Sequence, residues 1–288
     1  MKPSIWTDAF VELELEQALE KLAEVGWRTL EVAEAHWRRI GEREDPDRAC
    51  EAVRRRADDL GVAFAQLHGY SFDFCNPDAD TAAGLETTIR SLNYAAILGV
   101  GQYVLHTSSR PWGEEPGGYD QVRALNRDIV GRLAETARSL GVGIAVENTW
   151  DHPHPRRRFG TTAEELLWLV EQTDPEVVGV CWDTGHAHIA GLDQPRAIRA
   201  LAPALRALHI QDSDGTQDQH RLPYEGTIAW EPLLRALGEV GYDGAFNLEV
   251  GGSVHRLPLP LRPTRLRFAL ELATTMVTEA MTYRKEKK

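Results

Sequence analysis

The stretch 177-VVGVCWDTGHAHIAG-191 begins as an apolar, β-branched run, turns polar within a few residues and closes on Gly191. A run of this kind reads as a buried strand, yet it ends by presenting Asp183, His186 and His188 in close succession. Polar groups of that kind at a strand end need a reason, and the rest of the chain supplies one.

Similar short runs recur at 4-SIWT, 29-TLEVAEA, 62-VAFAQLHG, 102-QYVLHTS, 143-GIAVENT, 205-LRALHIQD and 245-AFNLEVGG, making eight in all. Between them lie stretches with helical spacing of apolar residues: 14–26, 47–61, 80–99, 121–141, 161–173, 193–203 and 230–241, with a last helix from about 264. Gly26, Gly61, Gly99, Gly141 and Gly241 sit where helices should stop, and Thr162 with Glu165 forms a capping box. Eight strand–helix repeats in 288 residues predict an α/β fold, a single (β/α)8 TIM barrel, over an open doubly wound sheet. The phosphate loop that such a sheet usually carries is missing, and VGVGQ at 98–102 follows a helix and precedes a strand, the wrong order for a dinucleotide site. No linker divides the chain, so residues 1–288 are expected to form one domain.

Composition narrows the partners. The net charge of −12 makes a general nucleic-acid surface unexpected. No apolar run is long enough for a membrane helix, and the N-terminal sequence lacks a signal-peptide profile, so a cytoplasmic protein with no membrane partner is expected. Cys50, Cys75 and Cys181 are odd in number and widely spaced, which suggests neither a disulfide framework nor a cysteine zinc site. The oligomeric state stays open, a homo-oligomer included.

The polar residues that close the runs are His68, His106, Glu147, Asp183, His209 and Glu249: six successive strands ending in metal-competent side chains. A lone histidine at a strand end is ordinarily a hydrogen-bonded core residue. Six convergent positions in a fold that gathers all C-terminal strand ends at one mouth argue for a site. Alternation places Gly143, Ala145, Gly179, Cys181, Ala245 and Asn247 inward with those groups, while Val146, Val180, Trp182, Phe246 and Leu248 face the helices. Carboxylates and imidazoles sharing one cavity are costly without a cation. Two Glu, one Asp and one His suit Mn²⁺, Mg²⁺ or Co²⁺, and the further histidines shift the balance toward Zn²⁺.

The motifs 147-ENTW, 183-DTGHA, 209-HIQDSDG, 218-DQHRLPYEGTIAW and 248-LEV resemble those of the xylose-isomerase-like barrel superfamily, in order and over almost the whole chain. That superfamily holds sugar-phosphate isomerases and epimerases, ketose 3-epimerases, inosose dehydratases, hydroxypyruvate isomerases and apurinic endonucleases of the endonuclease-IV type. The resemblance implies a divalent metal held by Glu147, Asp183, His209 and Glu249, with a small carbohydrate as substrate. It implies that Glu147 and Glu249 act as acid and base on opposite faces of the substrate carbon, through an enediolate, with His186 on a substrate oxygen. An inosose-dehydratase-like lyase is an alternative within the same superfamily.

A second implication competes. The additional ligands of the endonuclease-IV type match His68, His106, His186, Asp218 and His220, and the full set would hold two or three zinc ions suited to phosphodiester hydrolysis. Arg156, Arg157 and Arg158 in 151-DHPHPRRRFG could bind phosphate, though a solvated charge run is the commoner outcome. The acidic balance, the lack of loop wedges of the DNA-bending kind, and 223-PYEGTIAW, which resembles the turn of sugar isomerases, favour the sugar enzyme. The arginine that ketose epimerases carry shortly after the strand-seven histidine is missing, with Gly215 and Thr216 there, and Arg221 is the candidate to replace it. Trp112, among the loop aromatics Tyr70, Phe72, Trp150 and Tyr224, is a candidate wall for a sugar. Glu34 is expected either to face the cavity or to pair with an arginine. A binding protein without turnover would usually have lost one of the paired glutamates, and both are present.

Overall fold

The computed structural model describes residues 1–76, 78–108, 118–150 and 158–285. The strands are β1 (Lys2–Trp6), β2 (Thr29–Val32), β3 (Ala63–His68), β4 (Gln102–His106), β5 (Gly143–Glu147), β6 (Val178–Asp183), β7 (Leu205–Ile210) and β8 (Ala245–Leu248). All pair in parallel with their sequence neighbours, and β8 closes on β1. This is the expected (β/α)8 barrel. The surrounding helices are α1 (Leu15–Val25), α2 (Glu34–Gly41), α3 (Pro46–Asp59), α4 (Thr81–Leu98), α5 (Gly118–Leu140), α6 (Ala163–Glu171), α7 (Thr184–Ile189), α8 (Gln194–Leu201), α9 (Trp230–Val240), α10 (Gly251–Val254) and α11 (Arg262–Lys285). Among the described residues, no helix is long and apolar enough to cross a membrane.

Local chemistry accounts for the boundaries. Gly26, Gly99 and Gly241 end α1, α4 and α9 in the left-handed conformation, and Thr162 and Glu165 form the capping box of α6. Two of the boundaries that differ from the sequence reading bear on the site. The second run stops at Val32 and turns into α2, which buries His36, Trp37 and Ile40 on one face. The run opened at Val177 stops at Asp183, whose carboxylate accepts the His186 backbone N–H at 2.6 Å and so caps α7.

The alternation holds. Val104, Ala145, Cys181 and Ala207 pack together inside the barrel, whereas Val146, Val180, Trp182, Phe246 and Leu248 join the larger core between strands and helices. Each large side chain removed from water there contributes about 1.5–3 kcal/mol, so the sheet–helix layer carries the stability and the small inner residues leave room above them. Cys50, Cys75 and Cys181 are all buried.

Candidate metal centre

The parallel register brings the strand-end groups to one level. His106 lies opposite Glu147, and Asp183 lies opposite His209. One ligand atom from each of Glu147, Asp183, His209 and Glu249 falls within 4.8 Å of all the others. His209 Nδ1 is 3.2 Å from Glu147 Oε1 and 3.3 Å from Glu249 Oε2. All four residues are buried. Both Glu147 oxygens, Glu249 Oε2 and His209 Nδ1 have no hydrogen-bond partner, although buried polar atoms are ordinarily satisfied. Unpartnered oxygen and nitrogen donors converging on one point are what a divalent cation requires, so these residues fit one.

Histidines extend the centre toward the mouth. His68 Nε2 is 3.3 Å from His106 Nε2, and His106 Nε2 is 3.0 Å from Glu147 Oε2; His68, His106 and Glu147 form a second group of ligand atoms within 4.8 Å. On the other side Asp218 Oδ2 lies 3.4 Å from His186 Nε2 and 3.0 Å from His220 Nε2. His68, His186 and His220 are each anchored through Nδ1–H to a backbone carbonyl, of Gly69, Asn148 and Glu249 respectively, which leaves Nε2 facing the cavity. Gln211 ties this side to the first group: its amide nitrogen donates to Asp218 at 2.7 Å and lies 3.4 Å from both Asp183 oxygens, and its carbonyl accepts the His220 backbone N–H.

The charges are strongly coupled to this geometry. Burial raises the Glu147 carboxyl, but His209 and His106 outweigh it and hold Glu147 well below the usual carboxylate range. Glu249, also raised by burial, ends at about 8 despite His209 and His220. Burial disfavours the His220 cation, yet Glu249 and Asp218 lift that histidine to about 10. The two glutamates beside one histidine nitrogen thus differ in proton affinity.

The cavity above these groups is about 500 Å³ and is lined by Trp6, Glu34, Arg38, His68, His106, His186, Asp218 and His220, among others. Glu34 meets both of its expectations, facing this cavity and pairing with Arg38 at 3.2 Å. Arg221 is brought elsewhere. It lines a neighbouring groove of about 790 Å³ with Arg265 and Phe268, and pairs with Asp214 at 3.3 Å. His188 contacts Thr227, away from the centre. Trp112, Arg156, Arg157, His152 and His154 lie outside the described residues.

His220 adopts a left-handed φ of 46°, unusual for a residue with a side chain. The segment around it presses so closely on α10 that a Cβ on Gly252 would sit 1.9 Å from the Gln219 carbonyl oxygen, so only glycine fits there. The sequence reading missed Trp6, Gln211 and Glu31. Trp6 packs on the rings of His68 and His220. It shares the inward phase of Ser4, which was available in the first run.

Residues 19–271 match the family model described as the xylose isomerase-like TIM barrel, and the chain belongs to that family. It is 30% identical over 166 residues to a ketose 3-epimerase of Arthrobacter globiformis, covering 56% of this chain and 53% of that protein. It is 27% identical over 252 residues to the D-psicose 3-epimerase of Agrobacterium fabrum, covering 82% of this chain and 80% of that one. The crystal structure of D-psicose 3-epimerase in the presence of D-fructose superimposes with a TM-score of 0.78 at 22% identity, over 96% of this chain and 99% of that one, a likeness of fold. The chain spans 42% to 59% of the length of the first curated relatives it matches.

Proposed function

We propose that the protein is a divalent-metal-dependent sugar isomerase or epimerase that moves a proton between faces of a substrate carbon through Glu147 and Glu249. The observation that carries this reading is the pair of buried glutamates on one His209 nitrogen, at 3.2 and 3.3 Å, beneath a cavity of about 500 Å³. A cavity of that size holds a small polyol, and kinship with two ketose epimerases supports the substrate class. Glu147, Asp183, His209 and Glu249 would hold the cation, which supplies Lewis acidity toward substrate oxygens. Glu147, kept ionised by its histidines, takes the proton beside the carbonyl, and Glu249 delivers one from the opposite face. His186, fixed by Asn148 and facing Asp218, is placed to bond a substrate oxygen.

The test is deuterium uptake from D₂O into D-psicose or D-fructose by the manganese-loaded protein. Glu249→Gln should slow it by about 10²- to 10⁴-fold with the fold intact. Unchanged exchange in the variant overturns the two-glutamate mechanism, and no exchange by wild type into any ketose tried overturns the substrate class.

A second reading, phosphodiester hydrolysis by two or three zinc ions, is favoured by the second group His68, His106 and Glu147 and by Asp218 between His186 and His220. Metal content separates the two: about one ion per chain supports the sugar enzyme, whereas two or three zinc ions with nicking of abasic duplex DNA support the nuclease.

A further inference from the structure

We propose that Glu31 is the positioning residue that turns His209 toward the metal centre and makes Nδ1, not Nε2, its ligating atom. The inference deepens the reading above and rests on His209 as a ligand. Glu31 and His209 are both fully buried, and the two Glu31 oxygens lie 2.9 and 3.0 Å from His209 Nε2.

The neighbours of Glu31 determine which atom carries the hydrogen. Gln66 Nε2 donates to Glu31 Oε2 at 3.2 Å, and Asn247 Nδ2 donates to the same oxygen. Ser4 Oγ in turn donates to Asn247 Oδ1 at 2.9 Å, an arrangement consistent with the Asn247 nitrogen lying on the Glu31 carboxylate, which an amide oxygen could not bond. With these amide donors around it, Glu31 acts as acceptor, so the shared hydrogen sits on His209 Nε2. A neutral imidazole with its hydrogen on Nε2 carries its lone pair on Nδ1. That nitrogen is the unpartnered one facing Glu147 and Glu249.

His209 is also held in the opposite sense from its neighbours. His68, His186 and His220 are anchored by Nδ1 to backbone carbonyls, an acceptor that any strand or turn offers. His209 is anchored by Nε2 to a buried carboxylate, which has to be provided for by its own donors. The sheet makes a local adjustment that serves this end. The register between β2 and β3 shifts between Leu30 and Glu31, which sets Glu31 level with Gln66. A carboxylate behind a ligating histidine fixes its tautomer and raises its basicity, and loss of such a group costs about 10- to 100-fold in metal affinity.

The experiment uses ¹⁵N-histidine-labelled protein loaded with cadmium-113, read by long-range proton–nitrogen spectra. Cadmium splitting on His209 Nδ1, with a hydrogen on Nε2, is the expected result. Splitting on Nε2 overturns the role of Glu31 while leaving His209 a ligand; no splitting on either nitrogen overturns the metal reading and this inference together. In Glu31→Gln the side-chain amide offers hydrogens to Nε2, so zinc affinity measured by chelator competition should fall by about 10- to 100-fold. A folded variant that binds zinc as tightly as wild type overturns the proposal. Should the variant fail to fold, the wild-type spectrum still decides.

Discussion

His36 and His209 are equally hidden, at 1% and 0% exposure, but the two corners of the barrel use them in opposite ways. At the junction of β1 and α2, His36 Nδ1 meets Thr7 Oγ1 at 2.9 Å, and its Nε2–H donates to the Leu13 carbonyl at 3.2 Å. Both ring nitrogens are satisfied, and burial, reinforced by Arg39, lowers the histidine to about 4, so the ring is neutral. At the mouth, His209 is satisfied on one nitrogen only, and the other faces two carboxylates without a hydrogen bond. Burial raises the cost of an unmet polar atom in both places. What separates a packing histidine from a candidate ligand is the valence left over after the protein's own hydrogen bonds are counted.

Substituting each histidine tests that contrast most severely. His209→Asn should weaken manganese binding by more than about 100-fold in titration calorimetry, a loss beyond that of an outer partner. His36→Asn should leave the affinity of the folded protein unchanged; equal losses in the two variants would erase the distinction.

The pH dependence of stability sharpens the His36 side. Its pKa is lower folded than unfolded, so the unfolded chain binds the proton first and stability falls as pH drops from about 6.5 to about 4. At 1.36 kcal/mol per pH unit the loss approaches about 3 kcal/mol, fully regained above pH 6.5. Urea unfolding across that window, with chelator present, should show a shallower slope in His36→Asn than in wild type. Parallel slopes would remove His36 as the cause.

The smallest expected effect belongs to the His209 side. Wild-type protein stripped by chelator should gain about 2.7 kcal/mol on addition of a cation at 100 times its dissociation constant. In a chain of this size that is a melting shift of about 4–5 °C. No shift with manganese, magnesium, cobalt or zinc would mean that the unpartnered donors are not a cation site.

Much of this was readable from residues. The eight short runs, the stop glycines and the six strand-end groups from β3 to β8 are local signals, because strand alternation and capping act over a few positions. Other features depended on neighbours distant in sequence. The extended run 29-TLEVAEA points to Glu34, which lines the cavity, and gives no sign of Glu31, because the chain leaves the strand at Val32 and only the barrel sets Glu31 against His209. Arg221 reads as a substrate arginine from its place after His209, but the backbone pairing of Asp212 with Arg221 directs it toward Asp214 and the neighbouring groove.

The sequence by itself determined the barrel and the donor types, since period, punctuation and strand-end chemistry are written within short windows. Tertiary structure alone decided which donors remain without partners and which nitrogen of His209 faces them. Those outcomes depend on Ser4, Glu31, Gln66 and Asn247 meeting across β1, β2, β3 and β8, and a contact between distant residues leaves no local periodicity to read.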